Sequence, residues 1–209
     1  MIQHPQPVAA VLEELAAFGR ANDASEPDRR RKMLNLEPET AQLIELLVLN
    51  GRRLRILEIG TSNGFSAIWL AATLRLLGST VPLITLERDA NKVAQARRNV
   101  ERAGLTDLVH ILEGDATSLV ASVTGPFDCV FFDADRVSAS EQFRLLLPKL
   151  TADALVLADN VISHPDESAE FLALIRTRSD FQSVVVPIGK GLLVACRRQA
   201  ATNPADEQP

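Results

Sequence analysis

An acidic residue and two glycines stand where a short apolar segment gives way to a helical pattern. The residues are Glu58, Gly60 and Gly64, in the order E-x-G-x-x-x-G. A glycine directly after a strand permits a sharp turn, and a second glycine lets the backbone approach a ligand closely. The free N–H groups and the dipole at a helix N-terminus favour a carboxylate or phosphate. The spacing therefore predicts a turn that binds a nucleotide-like cofactor.

The glycine spacing and a second acidic residue narrow the choice of cofactor. A dinucleotide-binding turn has the order G-x-G-x-x-G, whereas Gly60 is followed by Thr61 and Ser62. No second glycine makes room there for a pyrophosphate. Glu87 closes the next apolar segment, VPLITLE, where its carboxylate would bind ribose hydroxyls. These features favour S-adenosylmethionine, with a plain strand-to-helix turn as the alternative.

Acidic and amide side chains also follow two later apolar segments. Asp133 and Asp135 follow FDCVFF, and Asp159 and Asn160 follow ALVLA. If these segments are neighbouring strands, their ends lie close together. Carboxylate and amide oxygens are hard ligands that suit Mg²⁺, and crowded carboxylates cost stability unless a cation offsets their repulsion. The pattern favours a divalent-cation site over the alternative, in which the acids cap helices or face water.

Apolar segments of strand length alternate with helical patterns along most of the chain. The patterns predict strands over residues 54–59, 81–87, 108–112, 127–132, 154–158, 181–187 and 192–196. They predict helices over residues 8–20, 38–50, 65–77, 89–103, 117–120, 140–150 and 165–178, and one more that begins at Ser25 with Pro27 in its first turn.

Alternation of this kind builds a parallel sheet with helices on both faces. The short turn before residue 192 predicts that the last two strands form an antiparallel hairpin. We therefore expect one doubly wound α/β domain over residues 1–198, with N-terminal helices at about 8–50 and a sheet core over 54–197. Residues 199–209 are polar and are expected to be a disordered tail.

Composition limits the class of protein. The 209 residues are 46% apolar, enough for one core, and the net charge of −5 argues against a nucleic-acid or anionic-membrane partner. The basic run at residues 29–32 is expected to be a solvated helix face. Cys129 and Cys196 lie in apolar segments and are expected to be small core residues in a reducing compartment. No secretory signal or membrane span is evident, so we expect a cytoplasmic protein.

From Met33 to Arg197 the sequence resembles the cation-dependent, class I S-adenosylmethionine O-methyltransferases. This family includes catechol O-methyltransferase, caffeoyl-coenzyme A O-methyltransferase and many small bacterial enzymes. The matching segments are LNLEPETAQLI, LEIGTSNGFSAIWLA, LITLERDANKVAQARRNVERAGL, LEGDA, FDCVFFDAD, LVLADNV and VPIGKGLLVACRR. The resemblance implies a Rossmann-like methyltransferase sheet of seven strands, a small phenolic acceptor and a homodimer.

The resemblance also implies roles for individual residues. It implies that Asp133, Asp159 and Asn160 hold Mg²⁺, or another divalent cation such as Mn²⁺ or Ca²⁺. Glu87 would bind the ribose, and Asp115 with Ala116 would lie against the adenine. The full set of implied cofactor-binding residues is Leu36, Glu58, Gly60, Ser62, Gly64, Ser66, Glu87, Asp115, Ala116 and Asp133.

One position departs from the family pattern. Its members usually carry a lysine as general base directly after the aspartate pair, as in DADK, whereas this chain has Arg136. Arginine stabilises a phenolate but cannot take its proton at useful pH. We count Arg136 and Asp133 as the catalytic residues, and then the metal must contribute more to ionisation or another base must act. Lys190 and His164 are candidates for that base, although a surface role is expected for each.

These features predict Mg²⁺-dependent transfer of a methyl group from S-adenosylmethionine to a hydroxyl of a small catechol-type acceptor. One alternative is a cofactor-binding protein that has lost catalysis, which Arg136 and the short segment VISHPDES would favour. The other is a metal-independent methyltransferase that acts on a nitrogen or a carboxylate. The complete set Asp133, Asp159 and Asn160 argues against both, because a site without metal has little reason to keep three hard ligands.

Overall fold

The computed structural model describes residues 4–198, and the predicted tail over residues 199–209 lies outside them. The helices in this part of the chain are α1 (Gln6–Ser25), α2 (Pro38–Asn50), α3 (Phe65–Leu76), α4 (Ala90–Arg102), α5 (Ala116–Ser122), α6 (Ala139–Leu146) and α7 (Pro165–Arg176). The strands are β1 (Ile56–Ile59), β2 (Leu83–Glu87), β3 (Val109–Glu113), β4 (Phe127–Phe132), β5 (Leu150–Ala158), β6 (Phe181–Val186) and β7 (Leu192–Arg197).

The seven strands form one sheet in the order β3-β2-β1-β4-β5-β7-β6. β1 pairs in parallel with β2 on one side and with β4 on the other, so the strand order reverses at β1. Ligands of such sheets bind at the carboxyl ends of the strands around that reversal. β7 runs antiparallel to both β5 and β6. The predicted doubly wound sheet and its C-terminal hairpin are confirmed.

Alternate residues of the central strands face two separate apolar layers, as the period of a strand requires. On one face, Phe131 and Leu157 pack with residues of α1, α2 and α3. On the other face, Val130 and Val156 pack with residues of α5, α6 and α7, including Phe143. The helices therefore hold the sheet from both sides and leave its carboxyl edge free for ligands.

The predicted second helix is wrong. Ser25 is the last residue of α1, and its hydroxyl donates back to the Ala21 carbonyl at 2.9 Å. Only a short 3-10 turn follows, at Arg29–Arg31. The Asp23 carboxylate accepts the backbone N–H of Met33, at 2.7 Å. Because side chains take up backbone donors that a helix would use, the segment stays irregular.

One expectation about the cysteines also fails. Cys129 is buried, as predicted, but Cys196 is exposed, and neither forms a disulfide. Cys196 lies near the end of β7, beyond Leu192 and Val194 on the face that the N-terminal helices cover. The helices do not extend as far as Cys196, so this residue is exposed although its neighbours in the sequence are apolar. Within residues 4–198, no helix is long and apolar enough to cross a membrane.

Candidate active site

The turn after β1 brings the predicted cofactor site against the predicted metal site. Gly60 has φ +103°, and a Cβ at this position would collide with the carbonyl oxygen of Asp133. Only glycine fits such a left-handed position in so close a contact. Gly64 has φ +90°, and a Cβ there would lie 3.2 Å from the Ala96 backbone of α4. Gly64 therefore allows close packing of α3 and α4 at the turn.

Glu87 is fixed at the same turn by backbone donors. Its Oε2 accepts the N–H of Ser62 at 2.9 Å, and its Oε1 accepts the N–H groups of Arg88 and Asp89, each at 2.9 Å. The Ser62 hydroxyl donates to the carbonyl of Met33 at 2.8 Å. The segment before α2 thus lies over the turn, and the Glu87 carboxylate is held beside it in one orientation.

Glu58 is completely buried one residue before the end of β1. Its Oε2 accepts the Thr85 hydroxyl at 2.6 Å, whereas no residue between 4 and 198 gives its Oε1 a hydrogen bond of normal geometry, although the Ser66 side chain lies close enough to lower its pKa. Burial raises the pKa of Glu58 to about 7. Leu36 and Ser66, both buried, line one small cavity together. A buried carboxyl with a free oxygen is suited to a cationic group of a ligand.

Asp115 and Ala116 lie at the end of β3, next to β2. Asp115 is the N-cap of α5: its Oδ1 accepts the Ser118 N–H at 2.9 Å and the Ser118 hydroxyl at 3.0 Å. The backbone hydrogen bond from Ser118 lowers the pKa of Asp115. Gly114 donates its N–H to the Glu87 carbonyl at 2.9 Å, so this turn adjoins the Glu87 turn. A helix-capping role is thus established for Asp115, and contact with an adenine stays a prediction.

The three predicted metal ligands converge, because β4 and β5 end side by side. Phe132 is the register partner of Ala158, so Asp133 and Asp159 follow adjacent strand ends. The Asn160 Nδ2 donates to Asp159 Oδ2 at 2.8 Å and to Asp133 Oδ1 at 3.3 Å. Asn160 has φ +66°, a left-handed conformation that turns its amide back toward the two acids.

The electrostatics of this group fit a divalent cation. Burial, and then the Asp159 charge, raise the pKa of Asp133 well above its usual value. Burial also raises the pKa of Asp159 to about 6, and its buried Oδ1 has no hydrogen-bond partner among residues 4–198. Two repelling carboxylates with a free oxygen lose this strain when a cation binds. Among residues 4–198, no three His, Cys, Asp or Glu side chains could hold a metal together. A cation held here by Asp133 and Asp159 would therefore take its third protein ligand from another residue type, and Asn160, whose Nδ2 now donates to both acids, would turn its amide to present the oxygen.

The Arg136 side chain is directed toward α7. Its Nη2 lies 2.9 Å and its Nε 3.0 Å from Glu167 Oε2, and the side chain is 16% exposed. This ion pair holds the guanidinium in place, and its charge also lowers the pKa of Asp159. Arg136 therefore lies near the acids, but its charge is paired with Glu167 through Nε and Nη2.

The hairpin turn between β6 and β7 lies against the loop after Asn160. The backbone N–H groups of Ile162 and Ser163 both donate to the Lys190 carbonyl at 3.0 Å. The Lys190 Nζ forms an ion pair with Glu37 Oε1 at 2.7 Å. The lysine charge lowers the pKa values of both Asp133 and Asp159. Lys190 thus lies near the site, but as the partner of a carboxylate.

Two residues near the site were missed by sequence reasoning. Glu37, directly before α2, pairs with Lys190, although its position suggested only a helix start. Arg29 contacts His164, with 3.3 Å between Nη2 and Nε2, although the basic run suggested a solvated surface. In both cases the partner is distant in sequence, and no spacing within one segment indicates the contact.

Comparison with known proteins agrees with this fold. Residues 57–161, half of the chain, match the protein family described as "Methyltransferase domain". The matched region runs from β1 through the cofactor turn to the residue after Asn160. The chain belongs to this methyltransferase family.

Two curated relatives are more specific in name. The chain is 39% identical over 133 residues to a catechol O-methyltransferase of Niastella koreensis, covering 62% of this chain and 59% of the relative. It is 35% identical over 149 residues to a catechol O-methyltransferase of Mycobacterium tuberculosis, covering 71% of this chain and 64% of the relative. The match thus spans less than two thirds of either relative's length.

Similarity in structure extends over nearly the whole chain. An O-methyltransferase of Bacillus cereus, solved in complex with SAH, has a TM-score of 0.75 and 26% sequence identity. The alignment covers 95% of this chain and 93% of that protein. The resemblance to class I O-methyltransferases that the sequence indicated is confirmed.

Proposed function

We propose that the protein transfers the methyl group of S-adenosylmethionine to a hydroxyl of a catechol-type acceptor, with a divalent cation held by Asp133, Asp159 and Asn160. The observation that carries the proposal is the convergence of these three side chains beside the Gly60 turn, where the described part of the chain leaves Asp159 Oδ1 without a hydrogen-bond partner. The names of the two curated relatives support a catechol as acceptor.

The cofactor part of the proposal rests on the carboxylates around the turn. S-adenosylhomocysteine (SAH) is the product that S-adenosylmethionine leaves after methyl transfer, and the Bacillus cereus O-methyltransferase was solved in complex with it. In this chain, Glu87 is oriented to accept hydrogen bonds from ribose hydroxyls. Glu58 would offer its free oxygen to the ammonium group of the methionine moiety, and Ser66 and the Leu36 backbone would bind near it. Charge-assisted hydrogen bonds of this kind are strong because the donor or acceptor is ionised.

The acceptor part rests on the acidic cluster. A divalent cation, when bound, acts as a Lewis acid that lowers the pKa of a hydroxyl and orients two vicinal oxygens. Asp133 and Asp159 would supply the negative charge that retains it, and Asn160 a neutral oxygen. The contact between Gly60 and Asp133 would keep the acceptor hydroxyl close to the transferred methyl group, which is where proximity lowers the barrier.

Removal of the acceptor's hydroxyl proton is the step for which this chain offers no clear general base. Arg136, committed to Glu167, would steady an anionic acceptor by its charge but would not take a proton. Ionisation would then depend on the cation and on solvent.

The Arg136–Glu167 ion pair also favours a second candidate function. A protein that binds S-adenosylmethionine without transferring its methyl group would have no need of a base beside the acids. In that case cofactor affinity would be ordinary and S-adenosylhomocysteine would not accumulate with any phenol.

A panel of acceptors tests the proposal. Protein, S-adenosylmethionine and Mg²⁺ are incubated with catechol, and in parallel with phenol, which has a single hydroxyl. We expect S-adenosylhomocysteine to form with catechol and at least about a hundredfold more slowly with phenol, since phenol lacks the second oxygen that orients it. Equal rates with both would contradict a vicinal-diol site. No product with any acceptor, despite measurable cofactor binding, would favour the second candidate.

A further inference from the structure

The basic run at residues 29–32 is not a uniform solvated surface. Arg30 forms an ion pair with Asp28 at 3.0 Å, and the Lys32 Nζ donates to the Asp23 carbonyl at 2.7 Å. Arg29 extends away from both. Within residues 4–198, no carboxylate forms an ion pair with Arg29. Its charge is therefore available to a ligand.

Arg29 lies beside the loop that follows Asn160. Its Nη2 is 3.3 Å from the Nε2 of His164, and the backbone N–H of His164 donates to the Asn160 carbonyl at 3.2 Å. Arg29 is exposed and His164 is half-buried. One imidazole ring thus separates an unpaired guanidinium from the loop that carries a proposed metal ligand.

Two arginines lie close enough to His164 to influence its ring. Burial, followed by the charges of Arg136 and Arg29, lowers the pKa of His164. The neutral ring accepts an N–H of Arg29 at Nε2, and its Nδ1 lies 2.8 Å from the Ser163 hydroxyl. A guanidinium has five N–H donors, so this contact orients Arg29 and leaves most donors free.

Two other cations near the site are paired with carboxylates. Arg136 is paired with Glu167, and Lys190 with Glu37. Arg29, by contrast, offers a charge without a carboxylate partner among residues 4–198, and most of its hydrogen-bond donors. A planar guanidinium binds a carboxylate through two parallel hydrogen bonds, a geometry that lysine cannot reproduce.

We propose that Arg29 binds a carboxylate substituent of the acceptor, so that the preferred acceptors are catechols that carry a carboxylate on the ring or on a short side chain. This inference rests on the proposed function, because it takes the acceptor hydroxyls to lie at Asp133 and Asp159. The carboxylate then extends toward the solvent side of His164, where Arg29 lies.

Two matched acceptors test the inference. Protocatechuate carries a ring carboxylate, and its amide is neutral and nearly the same size. We expect wild-type kcat/KM to favour protocatechuate and Arg29→Gln to reduce that preference about 10- to 100-fold, as for the loss of a charge-assisted hydrogen-bond pair. The effect of Arg29→Gln should be a higher KM for protocatechuate. Comparing the two ratios cancels the intrinsic difference in phenol acidity.

Arg31→Gln is the matched control, because Arg31 is an exposed arginine in the same 3-10 turn. It removes the same charge without the contact to His164, so it should leave the preference within about twofold, as expected for a screened surface charge. An equal loss of preference in Arg29→Gln and Arg31→Gln would overturn the proposal, because the net positive charge of this segment, rather than a contact with Arg29, would then explain the preference. A wild type that prefers the amide would also overturn it.

A binding measurement separates this inference from the proposed function. Protein saturated with S-adenosylhomocysteine and Mg²⁺ is titrated calorimetrically with protocatechuate and with its amide. If Arg29→Gln weakens the binding of protocatechuate but not of its amide, the inference is supported. This holds even if neither compound is methylated, because the absence of methylation would count against the proposed function only. Unchanged binding of protocatechuate to Arg29→Gln overturns the inference, whatever the enzyme activity.

Discussion

The carbonyl oxygen of Asp133 lies so close to Gly60 that a side chain at Gly60 would collide with it. This contact joins the end of β4 to the turn after β1. It fixes the candidate metal ligands relative to the turn that is proposed to bind the cofactor. The distance between the two halves of the site is therefore set by backbone atoms rather than by flexible side chains.

Gly60→Ala should destabilise the fold and the site together. Gly78→Ala is the control, because Gly78 also has positive φ, at +70°, but a methyl group added there would meet no atom of residues 4–198 within 4 Å beyond its chain neighbours. We expect Gly78→Ala to cost about 1–2 kcal/mol, the cost of a left-handed conformation alone. Gly60→Ala should cost about 1–3 kcal/mol more, because the backbone must also shift. Urea denaturation of both variants measures the difference, and equal losses would argue against a tight contact.

Asp159→Asn should stabilise the protein when no divalent cation is present. The raised pKa values of Asp133 and Asp159 mean that folding disfavours their charged forms, so this penalty is absent below the ordinary aspartate pKa of about 4 and is fully present only above about 6. The variant should melt above wild type in chelator at pH 8, and the gap should narrow at pH 5 and close near pH 4.

The control for this charge removal is Glu13→Gln, since Glu13 is exposed on α1. It should leave the melting temperature unchanged at each of these pH values. Added Mg²⁺ should raise the melting temperature of wild type but not of Asp159→Asn. A variant less stable than wild type at pH 8 in chelator would show that repulsion between the acids is not significant.

Cofactor affinity should rise with pH through the titration of Glu58. Its pKa is raised to about 7, so at lower pH the carboxyl must lose a proton before it can pair with the cofactor ammonium. Below pH 7, affinity for S-adenosylhomocysteine should fall by up to about tenfold per pH unit. Calorimetric titration of wild type should show this slope, and Glu58→Gln should bind more weakly and lack it. Glu113→Gln removes an exposed acid at the end of β3 and should retain it.

The rate of methyl transfer should rise toward alkaline pH, because no side chain in the Arg136 position accepts the acceptor's proton. Arg136→Lys alone should change this little, since Glu167 would pair with the new ammonium and keep it protonated. The double variant Arg136→Lys, Glu167→Gln should flatten the pH–rate profile and raise the rate near pH 7.

The control for that double variant replaces Glu170 instead of Glu167. Like Glu167, Glu170 lies on α7, and it forms an ion pair with Arg144 of α6 at 3.0 Å. Arg136→Lys with Glu170→Gln should therefore keep the alkaline dependence of Arg136→Lys. A wild-type profile that is flat from neutral pH upward would mean that another group, such as His164 or Lys190, takes the proton.

Sequence patterns predicted most of the fold and the centre of the site. The alternation of strand and helix periods located the sheet, and residues that follow parallel strands share one edge. Asp133, Asp159 and Asn160 could be predicted to meet for that reason alone. The extra helix at Ser25 was wrongly predicted, since nothing local indicates that Asp23 takes the N–H group of Met33.

Contacts between distant segments could not be predicted in this way. Glu37 with Lys190, and Arg29 with His164, each join the N-terminal region to a loop at the far side of the sheet. Their pairing depends on how the irregular segment before α2 packs over the strand ends. Arg136 was predicted to act at the acids, but its partner Glu167 is contributed by α7, and no local pattern indicates that pairing.

The most direct test of the proposed mechanism is to measure how the rate of methyl transfer depends on a divalent cation. S-adenosylhomocysteine formation from saturating S-adenosylmethionine and catechol is followed while Mg²⁺ is titrated into chelated protein. Wild type should have no activity above background in chelator and should saturate with Mg²⁺, whereas Asp159→Asn should stay at background while still binding S-adenosylhomocysteine. Equal rates of catechol methylation in wild type with and without chelator would contradict a cation site at Asp133, Asp159 and Asn160.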